Sequence, residues 1–509
     1  MGYDEIYDII LIQPPLFINT KNHSESQKIE SEYWESMEKN GGKLLGDLPV
    51  ECSYGILSIA SYIKKFDYKV KIVDFHLMDF HKRKFEFSVL NERDIVNELS
   101  KYKSKLVGIS VVTSSDHWAN FITNQIKKLN NDAYIFWGGY YPTNNDLSIL
   151  RSNKNIDFIV RNEGEYVVKD ILDAVQQRPL TLSEIEGLSY LSGETMMRKN
   201  ASRNVDFNEL PFLDYSLIED SYLEFIVPRV YTTRGCKNNC YYCTADNSSI
   251  RELRQRSVQL VVDEIEHIMT RYNKNFFVMG DLEFLLDTDY SKMVCEEIIH
   301  RNLNVKWWCQ VYPPHVEEEV IKLMVKAGNI QIALGIESSN VSALEEINKK
   351  ISTDNVVNTC RLIKKYNIQI QAYIMIGLPR DTVETCINTI KYVGNLIDEG
   401  LVDVTHFSIM TPYPGSILFK NSEKYNIKLL DTDPNKYLMN CDLLGSGIPP
   451  YETGHLSDLE IYCLWLLALA HSKKYFDKKT DYKENYHSIY QELGLNNISV
   501  SDQYKKVSL

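Results

Sequence analysis

Phe225-Ile226-Val227-Pro228-Arg229-Val230-Tyr231-Thr232-Thr233-Arg234-Gly235-Cys236-Lys237-Asn238-Asn239-Cys240-Tyr241-Tyr242-Cys243 runs a strand-like apolar pattern into three cysteines spaced C-x3-C-x2-C. A lone cysteine is often just a small buried hydrophobe. The other seven (Cys52, Cys295, Cys309, Cys360, Cys386, Cys441 and Cys463) are scattered singly, mostly in apolar segments, and fit that description. Three within eight residues, beside Gly235, Lys237 and two asparagines, do not. A closed structural site wants a fourth ligand, and no fourth cysteine lies nearby. Three protein ligands leave one coordination position free, which points to a reactive metal cluster. A structural zinc site completed by a distant histidine such as His406 is the alternative.

Outward from this run the chain repeats strand and helix patterns. Candidate strands are 225–234, 275–280, 305–310, 330–338, 368–377 and 404–410. Helical spacing fills 258–272, 316–327, 353–366 and 383–396 between them. Six such repeats predict a partial (βα)6 barrel over residues 225–420. The cysteines then sit just after its first strand, at the carboxyl-terminal mouth where barrels place their chemistry. Trp307, Trp308, Tyr312, Tyr373 and His406 are candidates to project into it, although aromatic residues in strands more often serve packing. Residues 421–509 read as a mainly helical tail, with a strongly apolar helix over 456–475 expected to pack at the barrel mouth or rim and a charged, Tyr-rich end.

Upstream, residues 1–180 alternate β-branched strands (7–15, 70–75, 106–112, 134–139, 158–160) with helices such as 54–65 and 118–129. Continuous apolar strands between helices imply an α/β domain, a Rossmann-like doubly wound parallel sheet. Such sheets bind ligands at the carboxyl ends of their strands. The loops expected there are Gln13-Pro14-Pro15, Thr113-Ser114-Ser115 and Gly138-Gly139-Tyr140-Tyr141-Pro142, whose small residues let a bulky ligand approach. Taken alone, Gly138-Gly139 is an ordinary strand exit. No G-x-G-x-x-G follows the first strand, which argues against a dinucleotide. Residues 181–224 read as a polar connector holding a small strand pair.

The length of 509 residues predicts two to four domains. A net charge of −13 without a basic block argues against nucleic acid or anionic membranes as general partners. The acidic start lacks a targeting signal, and the longest apolar run, 461–470, is half of what a bilayer needs. Ten cysteines in such a chain suit a reducing cytoplasm.

Thr232-Thr233-Arg234-Gly235-Cys236 through Cys243 resembles the cluster loop of the radical S-adenosylmethionine (SAM) superfamily. Leu334-Gly335-Ile336-Glu337-Ser338, Met375-Ile376-Gly377-Leu378-Pro379 and Thr411-Pro412-Tyr413-Pro414-Gly415-Ser416 are similar to its later strand segments, in order. Gly138-Gly139-Tyr140-Tyr141-Pro142 and Asn162-Glu163-Gly164-Glu165 resemble the branch with an N-terminal cobalamin (B12)-binding domain. The resemblance covers residues 5–420. It departs at Asp74-Phe75-His76, which does not continue to the D-x-H-x-x-G that supplies histidine to cobalt. It departs again at Gly280-Asp281-Leu282-Glu283, where G-G-E is usual.

The resemblance implies a 4Fe-4S cluster on Cys236, Cys240 and Cys243, with SAM on the fourth iron. It implies SAM contacts from Tyr242, Asp281, Glu283, Gln310, Glu337, Ser338 and Gly377. Glu337 interrupts an apolar strand, and a buried carboxylate needs a partner. For Asp281 and Glu283 a solvated strand-end carboxylate is an equal reading. Cobalamin contacts are implied for Gln13, Thr113, Ser114, Ser115, Gly138, Gly139, Tyr140, Tyr141, Pro142 and Glu163, with the corrinoid between the sheet edge and the barrel mouth.

The implied activity is methylation of an unactivated carbon of a small molecule or peptide, through a 5′-deoxyadenosyl radical and methylcobalamin. The electrons would come from a reductant such as flavodoxin or ferredoxin. A non-methylating cyclisation, rearrangement or oxidation is the alternative enzyme, and an iron–sulfur or corrinoid-binding module the non-enzymatic one. A methylthiotransferase should carry three further cluster cysteines upstream, and only Cys52 precedes Cys236.

Overall fold

Strands that read as unbroken β-branched runs have no polar face to show to water, so both faces must be covered. The computed structural model does this in two ways. It describes residues 5–16, 52–82, 88–176, 181–200, 204–224, 226–244, 251–437 and 448–477. Phe225 and the Tyr-rich end fall outside them. The described residues through Ile226 form one unit and those from Val227 another.

In the first unit, β1 (Glu5–Gln13), α1 (Tyr54–Lys64), β2 (Val70–Asp74), α2 (Phe75–His81), α3 (Glu92–Leu99), β3 (Tyr102–Ser110), α4 (Asp116–Leu129), β4 (Tyr134–Gly138), α5 (Tyr140–Ser152), β5 (Phe158–Val160) and α6 (Glu165–Gln176) follow in order. The five strands are parallel, in spatial order β2-β1-β3-β4-β5. The order reverses between β1 and β3, so right-handed crossovers put helices on both faces. Ile10, Ile12, Val107, Ile109, Ile135 and Trp137 form the heart of the core.

The strand pair expected in the connector exists, as β6 (Leu188–Ser192) and β7 (Thr195–Arg198). It extends this same sheet, antiparallel beyond β5. Buried Arg161 pins it, donating from Nη2 to the carbonyl of Lys199.

In the second unit, β8 (Arg229–Val230), β9 (Thr233–Arg234), β10 (Arg254–Gln255), α7 (Val258–Tyr272), β11 (Phe276–Met279), α8 (Thr288–His300), β12 (Lys306–Val311), α9 (Glu318–Lys326), β13 (Asn329–Glu337), α10 (Val341–Glu346), α11 (Thr353–Lys364), β14 (Gln369–Ile376), α12 (Val383–Asp398) and β15 (Val404–Ile409) build six parallel strands in the order β8-β11-β12-β13-β14-β15. This order never reverses. Right-handed crossovers then put every connecting helix on one face and leave the other as the hollow of an open barrel. Val227, Val278, Trp308 and Ala333, with Phe276 and Tyr373, pack together on the hollow side. Trp307, one residue earlier, turns the other way: it is fully buried and donates from Nε1 to Ala327 O beyond α9. It therefore does not project into the barrel.

The first strand differs from the expectation of one element over 225–234. Its ladder ends with Gly280 N–H on Val230 O. The next amides, of Thr232 and Thr233, turn to the Asp281 carboxylate instead of a neighbouring strand. Thr233-Arg234 then pairs antiparallel with β10.

The tail comprises α13 (Ile417–Lys420), the antiparallel pair β16 (Ile427–Leu429) and β17 (Tyr451–Thr453), and α14 (Asp458–Asp477). Trp465 of α14 donates from Nε1 to Phe407 O of β15 at 2.9 Å. The helix thus covers the barrel's open edge, where an exposed strand would invite pairing. No helix among the described residues is long and apolar enough to cross a membrane.

Candidate cluster and cofactor sites

Beyond Arg234 the chain turns outward at Gly235, whose φ of +103° suits only glycine. The loop that follows is tied at several points. Tyr241 N–H donates to Ile347 O and Leu418 N–H to Tyr241 O, both at 3.0 Å. Asn348 Nδ2 donates to Asn239 O at 2.6 Å. All three thiols are partly buried, and none is in a disulfide. Burial pushes Cys236 up to about 11, and the neighbouring Cys243 and Cys240 add to this. A thiol buried beside two others gains from a cation that takes up its charge. Among the described residues, no three His, Cys, Asp or Glu side chains converge closely enough to share one metal ion.

The carboxylates around the loop are buried and engaged. Asp281 Oδ1 accepts from the amides of Thr232 and Thr233 and from both hydroxyls, at 3.1 Å and 2.8 Å. Its Oδ2 is buried and has no partner among the described residues. Burial pushes Asp281 up to about 6, against the pull of these bonds. Glu283 is only 5% exposed and binds His315 Nδ1 at 2.8 Å. That bond, ahead of the opposing effect of burial, raises the His315 pKa. The reading of Asp281 and Glu283 as solvated strand-end carboxylates is therefore wrong.

Glu337 ends β13 at φ 62°, a left-handed conformation costly for a residue with a side chain. A register shift between Gly335 and Glu337 accompanies it. Its Oε1 accepts from Tyr242 Oη at 2.9 Å and Lys349 Nζ at 2.7 Å. A Cβ on Gly335 would lie 2.7 Å from that oxygen and 2.8 Å from that nitrogen. Burial, with Glu337 next, holds the Tyr242 hydroxyl well above its usual range.

Other expected contacts lie elsewhere. Ser338 Oγ faces α12, 3.1 Å from Thr389 Oγ1, because it also caps the turn at Asn340. Gly377 (φ +85°) makes room for the tail: a Cβ there would meet Ile461 and the Tyr451 hydroxyl, which donates to Gly377 O. Gln310 O accepts from Phe284 N–H at 3.0 Å, leaving its half-exposed side chain on the hollow face with Gln371 and Tyr373. Tyr373 stacks edge-on against His406, 5.4 Å between centroids.

In the first unit, Gln13 and the 113–115 turn stand at the carboxyl ends of β1 and β3, where the strand order reverses. Gln13 is buried and bonds Pro14 O. Ser115 Oγ closes its own turn on Val112. Thr113 is buried beside it, and Ser114 Oγ is buried with no partner among the described residues. Gly138 ends β4. Gly139 (φ +110°) passes so close to the β3 exit that a Cβ would lie 2.8 Å from Val111 O.

Tyr140, Tyr141 and Pro142 are not a loop. They form the first turn of α5, where proline's missing N–H costs nothing. Tyr141 is buried in the core, and only Tyr140 is exposed. Glu163 accepts from Val205 N–H at 2.9 Å, tying down the connector. Asp74 caps α2 through Leu77 N–H, and burial pushes it up to about 7. A helix begins at Phe75, where the sequence departs from D-x-H-x-x-G.

Lys349 and His315 were missed, and Thr232 and Thr233 entered only as part of the cluster-loop resemblance.

The Radical SAM superfamily model matches residues 230–393, and the B12 binding domain model matches residues 49–172. An uncharacterized methyltransferase of Pyrococcus horikoshii is 28% identical over 389 residues, 75% of this chain and 81% of that protein. An anaerobic magnesium-protoporphyrin IX monomethyl ester cyclase of Rubrivivax gelatinosus is 26% identical, over 66% of this chain and 63% of its own length. The structure of the radical S-adenosylmethionine methyltransferase TsrM of Kitasatospora setae, with cobalamin and a 4Fe-4S cluster bound, shares the fold with a TM-score of 0.64 at 15% identity, covering 92% of this chain and 88% of that one.

Proposed function

We propose that this chain, a radical SAM protein with a B12-binding domain, transfers a methyl group to an unactivated carbon of a small molecule or peptide. The observation that carries the reading is the pairing, in one chain, of a B12-binding domain with a three-thiol loop at the carboxyl end of an open barrel's first strand.

The residues present fit the groups. Three partly buried thiols on one short loop suit a cluster, and the buried, unpartnered Asp281 Oδ2 stands at the foot of that loop. The unpartnered Ser114 hydroxyl and the bare backbone at Gly139 suit a large ligand at the switch point of the first sheet. When bound, the cluster and SAM supply a carbon-centred radical, and the corrinoid supplies the methyl group.

The chain's own residues hold and shield. Cys236, Cys240 and Cys243 bind the cluster. Asp281 fixes the strand exit that feeds the loop, and its free oxygen is an acceptor for a cationic ligand group. Trp308, Gln310, Gln371, Tyr373 and His406 line the hollow in which a substrate is oriented. A low-potential donor of the flavodoxin or ferredoxin class supplies electrons, and a reducing cytoplasm suits the free thiols.

The similarity to a cyclase favours a second reading, oxidative ring closure without methyl transfer. Incubating the reconstituted enzyme with methyl-labelled SAM, a chemical reductant and candidate substrates separates the two. Label in the product supports methylation. Deoxyadenosine formed with product that carries no label refutes it.

A further inference from the structure

α10 ends in a Schellman motif. Lys349 N–H donates to Leu344 O at 2.8 Å and Asn348 N–H to Glu345 O at 3.0 Å, with Asn348 at φ 57°. The motif fixes the direction of three successive residues, and each meets the cysteine loop. Ile347 O takes the Tyr241 amide, and Asn348 Nδ2 takes Asn239 O. Lys349 Nζ joins Tyr242 on one Glu337 oxygen. Asn239, Tyr241 and Tyr242 surround Cys240 in sequence.

Holding the loop does not require a charge here. Two neutral contacts already do so, and a buried ion pair costs desolvation that apolar packing would avoid. Yet Lys349 is 8% exposed. Its ammonium also lies 5.1 Å from the centroid of the Tyr312 ring. Gly335 gives up a side chain and Glu337 takes a left-handed φ to house the pair. Such costs concentrate where function demands them.

We propose that Lys349 is a positioning residue that sets the cluster's reduction potential: its ammonium, steered by the α10 terminus and held by Glu337, fixes a positive charge where Tyr242 of the cysteine loop meets Glu337. The inference rests on the reading of Cys236, Cys240 and Cys243 as cluster ligands. One electron from a low-potential donor adds one negative charge to the cluster, and a nearby cation in a low-dielectric interior stabilises that state.

The test compares wild type, Lys349→Met and Lys349→Arg after anaerobic reconstitution. Iron per chain is measured first. The cluster midpoint is then read by EPR during a dithionite titration without SAM. Lys349→Met should keep its iron and be about tenfold harder to reduce at a given potential, a fall of about 59 mV for one electron. Lys349→Arg should stay at the wild-type midpoint. An unchanged midpoint in Lys349→Met overturns the proposal, and so does a Lys349→Arg midpoint that falls as far. If Lys349→Met loses its iron, Lys349→Arg decides: iron and midpoint at wild-type values support the charge, and loss of iron there too overturns it. Wild type that takes up no iron would sink the cluster reading itself, and this proposal with it.

Discussion

Replacing Asp281 by alanine should destabilise the barrel unit more at pH 5 than at pH 7, the reverse of what a simple loss of charged hydrogen bonds suggests. Asp281 Oδ1 holds the amides of Thr232 and Thr233. The two hydroxyls can rotate to other partners, but the amides cannot. Stranding two buried donors costs about 1–3 kcal/mol each, so about 2–6 kcal/mol together. The carboxylate itself is unhappy when ionised, since burial raises it from 3.8 to about 6. The folded state therefore binds the proton more tightly than the unfolded state. Its stabilising contribution is complete below pH 3.8 and is lost as pH rises through 6. At about 1.4 kcal/mol per unit the whole loss is about 3 kcal/mol, of which roughly half falls between pH 5 and pH 7. The alanine variant lacks this titration, so its penalty should shrink by about 1.5 kcal/mol over that interval. Hydrogen exchange of the β11 and β12 core amides in the apoprotein, at both pH values, reads the difference. Asp281→Asn, which keeps an acceptor and does not titrate, should show the same flattening with a smaller loss. A penalty that grows with pH would refute the reasoning.

Two further perturbations separate packing from chemistry. Gly139→Ala puts a Cβ 2.8 Å from Val111 O at φ +110°; it should cost about 1–3 kcal/mol in the first unit by thermal unfolding and weaken corrinoid binding measured by absorbance. Trp307→Ala empties a fully buried site on the helical side and frees Ala327 O; a loss of about 3–5 kcal/mol by hydrogen exchange is expected, whereas Trp307→Phe should leave the substrate KM unchanged.

Much of this architecture is legible in the chain because parallel strands buried on both faces must be apolar throughout. Val404–Ile409 and Phe158–Val160 stand close to where their patterns end. The first barrel strand is different. Its break is set by Asp281, 49 residues from Thr232, and no local pattern carries that bond. Tyr140-Tyr141-Pro142 reads as a loop because proline usually marks one, yet a first helical turn accepts it at no cost. Lys349-Lys350 carries no local signal of burial. Only the Schellman turn after α10, which depends on Asn348 adopting a left-handed φ, sends the first lysine inward.

Glu337 shows why these misses cluster. A non-glycine residue at positive φ, a buried carboxylate, a buried lysine and a glycine in mid-strand are each unfavourable alone. Together they are one device: the bulge turns Glu337 toward Lys349, the bare Gly335 clears space for both, and the shared oxygen collects Tyr242 from the cysteine loop. Removing any one member leaves the others as pure cost, since an unpaired buried charge is worse than none. Local preference is therefore a poor guide at this point of β13, where a strand end, a helix end and the cysteine loop must agree. The same logic explains the contrast between the two sheets. The first gains its cleft from a reversal of strand order and needs only small residues at the exits. The second has no reversal, and at the carboxyl end of its strands Asp281, Glu283, Glu337 and Lys349 are buried.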